Sequence, residues 1–159
     1  MHDTRNDLPA NARASMAAAL NARLAGLIDL GLALKHAHWN VKGPHFIALH
    51  ELFDEIRGTL DPHADDLAER VTALGGTAQG TLQQVASGSA LAPFPAEETD
   101  GMILVAELAD RVAALGKSVR AGITEAEDAG DAGSADLLTG LSRALDKALW
   151  LLEAHLQKR

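Results

Sequence analysis

Two apolar stripes at helical spacing, parted by a Gly-Pro break, restrict the fold of this chain more than any other feature. In the first, Met16, Leu20, Leu24, Leu27, Gly31 and Leu34 recur at intervals of four and three, and His38 continues the series. In the second, Phe46, Leu49, Phe53, Ile56, Leu60, Leu67, Val71 and Leu74 form one stripe, closed by Gly75 and Gly76. This period belongs to an amphipathic helix, because in a strand the buried positions would alternate. The spacing predicts a first helix over Asn11 to Trp39 and a second over His45 to Leu74. Gly43-Pro44 breaks the chain between them, and so short a link makes the two helices antiparallel neighbours.

From Thr77 to Pro95 the chain is rich in Gly, Ser, Ala and Pro and reads as a long crossover, within which TLQQVASGS can form a short helix. A third long helix is expected from Pro95 or Ala96 to about Ala129, with Glu97 and Glu98 favourable to its dipole. A fourth is expected from Ser134 to Gln157, burying Leu138, Leu141, Leu145, Leu149, Leu152 and Leu156. The chain is 47% hydrophobic but only 3% aromatic, with no Tyr, which favours packed helices over sheets. The fold class is therefore all-α: a ferritin-like four-helix bundle with the crossover between its second and third long helices. Its 159 residues suit a short tail over 1–10 and one domain over 11–159.

The chemistry is concentrated in HWNVKGPHFIALHELFDEIRGTLDPHADDLAE, which runs from His38 to Glu69. It holds His38, His50, Asp54, Asp65 and Glu69, imidazoles and carboxylates of the kind that bind iron, manganese or zinc. His50 and Asp54 are four residues apart, as are Asp65 and Glu69, so each pair shares a helix face. Asp54 and Asp65, however, are separated by eleven residues, or about 16 Å along a helix axis. One chain cannot bring both pairs to one ion. Two copies packed antiparallel about a twofold axis can, since an isologous contact sets the His50 and Asp54 end of one against the Asp65 and Glu69 end of the other.

All four second-helix residues project a quarter turn or more from the apolar stripe, away from their own bundle core. A solvated polar face accounts for the carboxylates alone; His50 in register with Asp54, and His38 nearby, favour a ligand set. Glu51, Glu55, Asp61 and Asp66 read as surface charge, and spacing leaves His45 and His63 unassigned. Pro62 is expected to kink the second helix between the two carboxylate pairs.

With no cysteine, disulfides and thiolate metal sites are excluded. The formal net charge of -8 argues against binding nucleic acid by bulk attraction and is compatible with concentrating cations. No secretory signal or uncharged membrane-length stretch is visible, so a cytoplasmic location away from membranes is expected. No Glu is followed three residues later by His, which argues against a di-iron site inside each bundle. The segment EAEDAGDAGSAD is either a polar loop with capping aspartates or, gathered by symmetry, an acidic pore.

The segment KHAHWNVKGPHFIALHELFDEIRGTLDPHADDLAERVTALGG closely resembles the signature of the Dps family, the DNA-protecting mini-ferritins of starved bacterial cells. TRND near the start and LSRALDKALWLLEAHL near the end also resemble family segments. The resemblance implies a hollow shell of twelve subunits that oxidises Fe(II), with hydrogen peroxide preferred, and stores ferric mineral. It implies ferroxidase ligands at His38, His50 and Asp54 of one subunit and Asp65 and Glu69 of its twofold mate. The tryptophan that the family carries beside the site matches Trp39, which can serve as an electron source or as packing. The family's acidic threefold pore would include Asp136, with Asp131 and Asp128.

The family's other activity is to coat and compact DNA. Members that do so often carry a lysine-rich tail before TRND, and here only His2 and Asp3 follow Met1 ahead of it. Weak or absent DNA binding is expected. A third reading is a shell whose site is degenerate because Pro62 displaces Asp65 and Glu69.

Overall fold

A computed structural model describes residues 1–157; Lys158 and Arg159, which close the chain, lie outside the described residues. The helices run in the order α1 (Ala10–Asn40), α2 (Phe46–Ala73), α3 (Leu82–Gly88), α4 (Gly101–Asp128) and α5 (Ala132–Glu153). α1 pairs with α2 and α4 with α5, each across a short link, while α1 also packs on α4 and α2 on α5. The short α3 lies on α1 within the crossover. This is the four-helix bundle expected of the two stripes.

The expected stripes supply the core. Leu20, Leu30, Leu34, Leu49, Phe53, Leu67, Leu104, Leu108 and Leu138 are fully buried together. By length and composition α1 is apolar enough to cross a bilayer, yet its apolar side chains from Met16 to Ala37 are largely buried against other helices of the bundle. Burial of this kind, at roughly 25 cal/mol per Å2 of apolar surface, is the main term holding the helices together.

Helix boundaries depart from expectation at three places. α4 begins at Gly101, not near Pro95 or Ala96. Glu98 Oε1 accepts from the backbone N–H groups of Thr99 and Asp100, both at 2.7 Å, and Lys42 N–H donates to Thr99 O at 2.8 Å, which holds this stretch out of helix. Asp100 is then the N-cap, accepting from Met102 N and Ile103 N. Gly101 is needed there, since a Cβ would stand 2.6 Å from Leu49 Cδ1. α5 starts two residues before Ser134 and ends at Glu153, so that Leu156, expected in the core, is 41% exposed. Phe46, also expected in the core, is 43% exposed.

Pro62 sits inside an unbroken α2. It lies on an exposed stretch, and Gly58, whose carbonyl loses its helical donor to the proline, is exposed as well and can turn to water. The two carboxylate pairs thus remain on one continuous helix.

Asp131, expected among the pore acids, is instead 2% exposed and caps α5. Its carboxylate accepts from Ser134 N at 3.0 Å and Ser134 Oγ at 2.6 Å, and pairs with Arg70 Nη2 at 2.5 Å. Burial alone would raise this carboxyl, but the hydrogen bonds from Ser134 and the Arg70 guanidinium outweigh it and hold it below its ordinary value of 3.8. A group depressed in the folded state stabilises above its unfolded pKa, and that contribution is lost as pH falls through the depressed value. Asp131→Ala is expected to cost about 2–3 kcal/mol in chemical denaturation, from a lost cap and an unpaired Arg70. The unfolding temperature of the parent chain should drop in acid below about pH 4, more steeply than that of Asp131→Asn.

Candidate metal centre

α1 and α2 meet at a hairpin whose short link brings His38, in the last turn of α1, against His50 in the second turn of α2. The two histidines hold one another through the backbone. His38 Nδ1 lies 2.6 Å from His50 O, and His50 Nδ1 lies 2.8 Å from His38 O. A carbonyl can only accept, so each Nδ1 carries a proton, and in a neutral ring the lone pair is left on Nε2. The rings stack with centroids 3.7 Å apart and planes 20° apart, and Phe46 lies 5.3 Å from the His50 ring. Both imidazoles are half-buried, each with its Nε2 left free to accept or to bind a cation.

Asp54, one turn after His50, is exposed and carries a charge partner that the spacing analysis missed. Lys35 Nζ stands 2.5 Å from Asp54 Oδ1. The Lys35 hydrogen bond, helped by its charge and those of His38 and Arg57, holds the Asp54 carboxyl below its ordinary value. Lys35 lies three residues before His38, on the same face of α1, so its approach to this cluster was legible from helical spacing. His36 was also passed over. Its Nε2 is 3.0 Å from Ala96 O, and its ring meets Phe94 edge-on at 5.7 Å, which pins the crossover beside the hairpin.

Asp65 and Glu69 lie farther along α2, exposed and without side-chain hydrogen bonds or ion pairs among the described residues. The structure brings His38 and His50 together, with Asp54 one turn after His50, and leaves Asp65 and Glu69 farther along the same unbroken helix. Among the described residues of one chain, no group of three or more metal-binding side chains converges on a common point. The candidate ligands thus fall into two groups, one with nitrogen and oxygen donors and one with oxygen alone.

Trp39 is 68% exposed beside His38, at the edge of an open groove of about 330 Å3 that includes Leu32, His36 and Phe94. Of the acids expected at a pore, Asp128 and Asp136 are exposed on either side of the α4–α5 turn, whereas Asp131 is consumed in the cap.

Comparison with known proteins agrees with this architecture. A ferritin-like domain model matches residues 17–159. The DNA protection during starvation protein of Agrobacterium fabrum is 47% identical over 158 residues, covering 99% of this chain and 98% of that protein. Among solved structures, Mycobacterium smegmatis Dps superposes with a TM-score of 0.94 at 31% identity, covering 99% of this chain and 95% of that one. The Vibrio cholerae Dps protein, described as a member of a broad superfamily of ferritin-like diiron-carboxylate proteins, superposes with a TM-score of 0.92 at 27% identity, covering 99% and 98%. The chain belongs to the Dps family of ferritin-like proteins.

The Lys35 contact yields an expectation. Its ammonium occupies a position at Asp54 that a cation would take, so Lys35→Met should bind Co(II) a few-fold more tightly than the parent chain. Titration of the visible Co(II) absorption under anaerobic conditions measures this.

Proposed function

We propose that this chain is an iron-detoxifying mini-ferritin whose ferroxidase site is completed between subunits. The observation that supports the reading is the mutual hydrogen bonding of His38 and His50, which leaves each Nε2 free with Asp54 one turn after His50, so that the three would make an incomplete ligand set. In a head-to-tail pair of α2 helices, the partner subunit's Asp65 and Glu69 complete it. Leu32, Trp39, Phe46 and Ile47, each between 43% and 68% exposed around this hairpin, form the apolar surface that such a pairing would cover.

Fe(II) is the substrate. Imidazole and carboxylate hold it loosely, and the three anionic carboxylates favour the ferric product. With hydrogen peroxide as oxidant, each of two ferrous ions gives one electron, the O–O bond breaks, and the ferric ions take up oxygen as oxide or hydroxide while protons leave to water. Peroxide and ferrous iron are thereby consumed together, which protects DNA from the radicals they would otherwise generate. A closed shell of twelve subunits would keep the mineral inside, and exposed Asp128 and Asp136 would draw cations toward an entry pore.

Complementation tests the site. His50→Ala and Asp65→Ala, each still assembled, are expected to lose fast Fe(II) oxidation by stopped-flow absorbance, by at least about tenfold. Mixed shells reassembled from both variants should recover about one quarter of the sites, because half of the random pairs are mixed and each mixed pair has one intact site. Unchanged rates in either variant would move the chemistry elsewhere.

Direct DNA binding is expected to be weak. His2 N–H donates to Gly75 O at 2.8 Å, and Arg13 donates to Leu8 O and to Leu74 O, both at 3.1 Å. The residues ahead of α1 are thus drawn onto the end of α2, and Arg13 is occupied with backbone carbonyls. With a net charge of -8, phosphate contacts would have little to draw on. No gel shift is expected at physiological salt, and a clear one would overturn this part of the reading.

A further inference from the structure

Arg70 follows Glu69 directly in α2 but reaches the opposite way, to the start of α5. Its Nε donates to Ser134 Oγ at 3.0 Å and its Nη2 to Asp131 Oδ1 at 2.5 Å. The acceptors are themselves fixed: Asp131 is 2% exposed, Ser134 is fully buried, and each is bonded to the other. Gly133 leaves room for this contact, since a Cβ there would stand 3.1 Å from Arg70 Nη2. We propose that Arg70 is a positioning residue for the oxygen half-site, setting the height and rotation of the turns of α2 that carry Asp65 and Glu69. The inference rests on the reading of those two residues as iron ligands.

Three observations lead to it. Among the described residues Asp65 and Glu69 have no side-chain partners of their own, so their placement follows the backbone that bears them. Pro62 withholds one axial hydrogen bond between the two half-sites, which loosens the carboxyl-terminal part of α2 from the part before it. Leu67 and Val71 bury that part against the core, but apolar packing has no direction, whereas two guanidinium donors on a fixed carboxylate and hydroxyl do. Arg13 also ties the end of α2, yet it grips Leu74 O, beyond the ligand-bearing turns. A site assembled from two subunits depends on this placement, because ligands must be held within about 0.5 Å of their working geometry.

Asp131→Asn tests the role. Asn caps a helix as well as Asp, so the Ser134 contact persists while the charge that grips Arg70 is removed. Assembled protein is titrated anaerobically with Fe(II) by calorimetry, well below its unfolding temperature, beside Arg70→Lys and Asp65→Ala. Arg23→Met serves as a control, since it removes a different buried cation, one that pairs with Glu125. Asp131→Asn is expected to assemble normally and bind Fe(II) roughly tenfold more weakly. Arg70→Lys should fall between it and the parent chain, and Arg23→Met should lose stability without losing affinity. Parent affinity in assembled Asp131→Asn would overturn the role of Arg70 while leaving the site intact. If Asp65→Ala binds Fe(II) as the parent does, the ligand reading fails and the positioning role fails with it.

Discussion

An unbroken helix cannot fold back on itself, and that constraint on α2 keeps its two pairs of candidate ligands apart within one chain. The helical backbone from Phe46 to Ala73 keeps the Asp65 carboxylate about 16 Å, and that of Glu69 about 22 Å, beyond Asp54 along the axis. Packing of Leu49, Phe53, Ile56, Leu60, Leu67 and Val71 fixes which face of the rod is spent on the core. The polar face left over holds ligands that no rearrangement within one subunit can unite. Uniting them takes a second chain, and the exposed Trp39 and Ile47 lie on the surface that the proposed pairing would cover.

The two half-sites differ in how they are prepared. The histidine half is rigid before metal arrives, with its rings stacked and its tautomers set by backbone carbonyls. Its one carboxylate is engaged by Lys35, so an incoming ion has to displace an ammonium group. The oxygen half is bare at its tips and fixed only through the helix behind them.

Much of this was legible in the chain itself. Stripes of period near 3.6 located α1 and α2 to within a residue at each end, because long apolar periodicity dominates local detail. The beginning of α4 was not legible, since Glu97 and Glu98 resemble a favourable first turn. In the folded chain Glu98 instead binds the backbone ahead of the helix, and the link after α1 holds that stretch extended, a tertiary contact that no local pattern encodes. For Asp131 the sequence left a capping aspartate and a pore acid both open, and the structure has it as the cap of α5. What decides between them is its partner, Arg70, which lies far away in sequence. The spacing of four within each ligand pair, and of eleven between pairs, did read directly, because a helix converts sequence distance into spatial distance. Lys35 could have been found the same way from its register with His38.

The crossed bonds between His38 and His50 carry a further consequence. Each ring is anchored to the main chain of the helix bearing the other, so opening the α1–α2 hairpin at its tip would break both bonds. Opening would release both nitrogens at once and reorient both. The placement of both imidazoles is thus tied to the closure of one short turn.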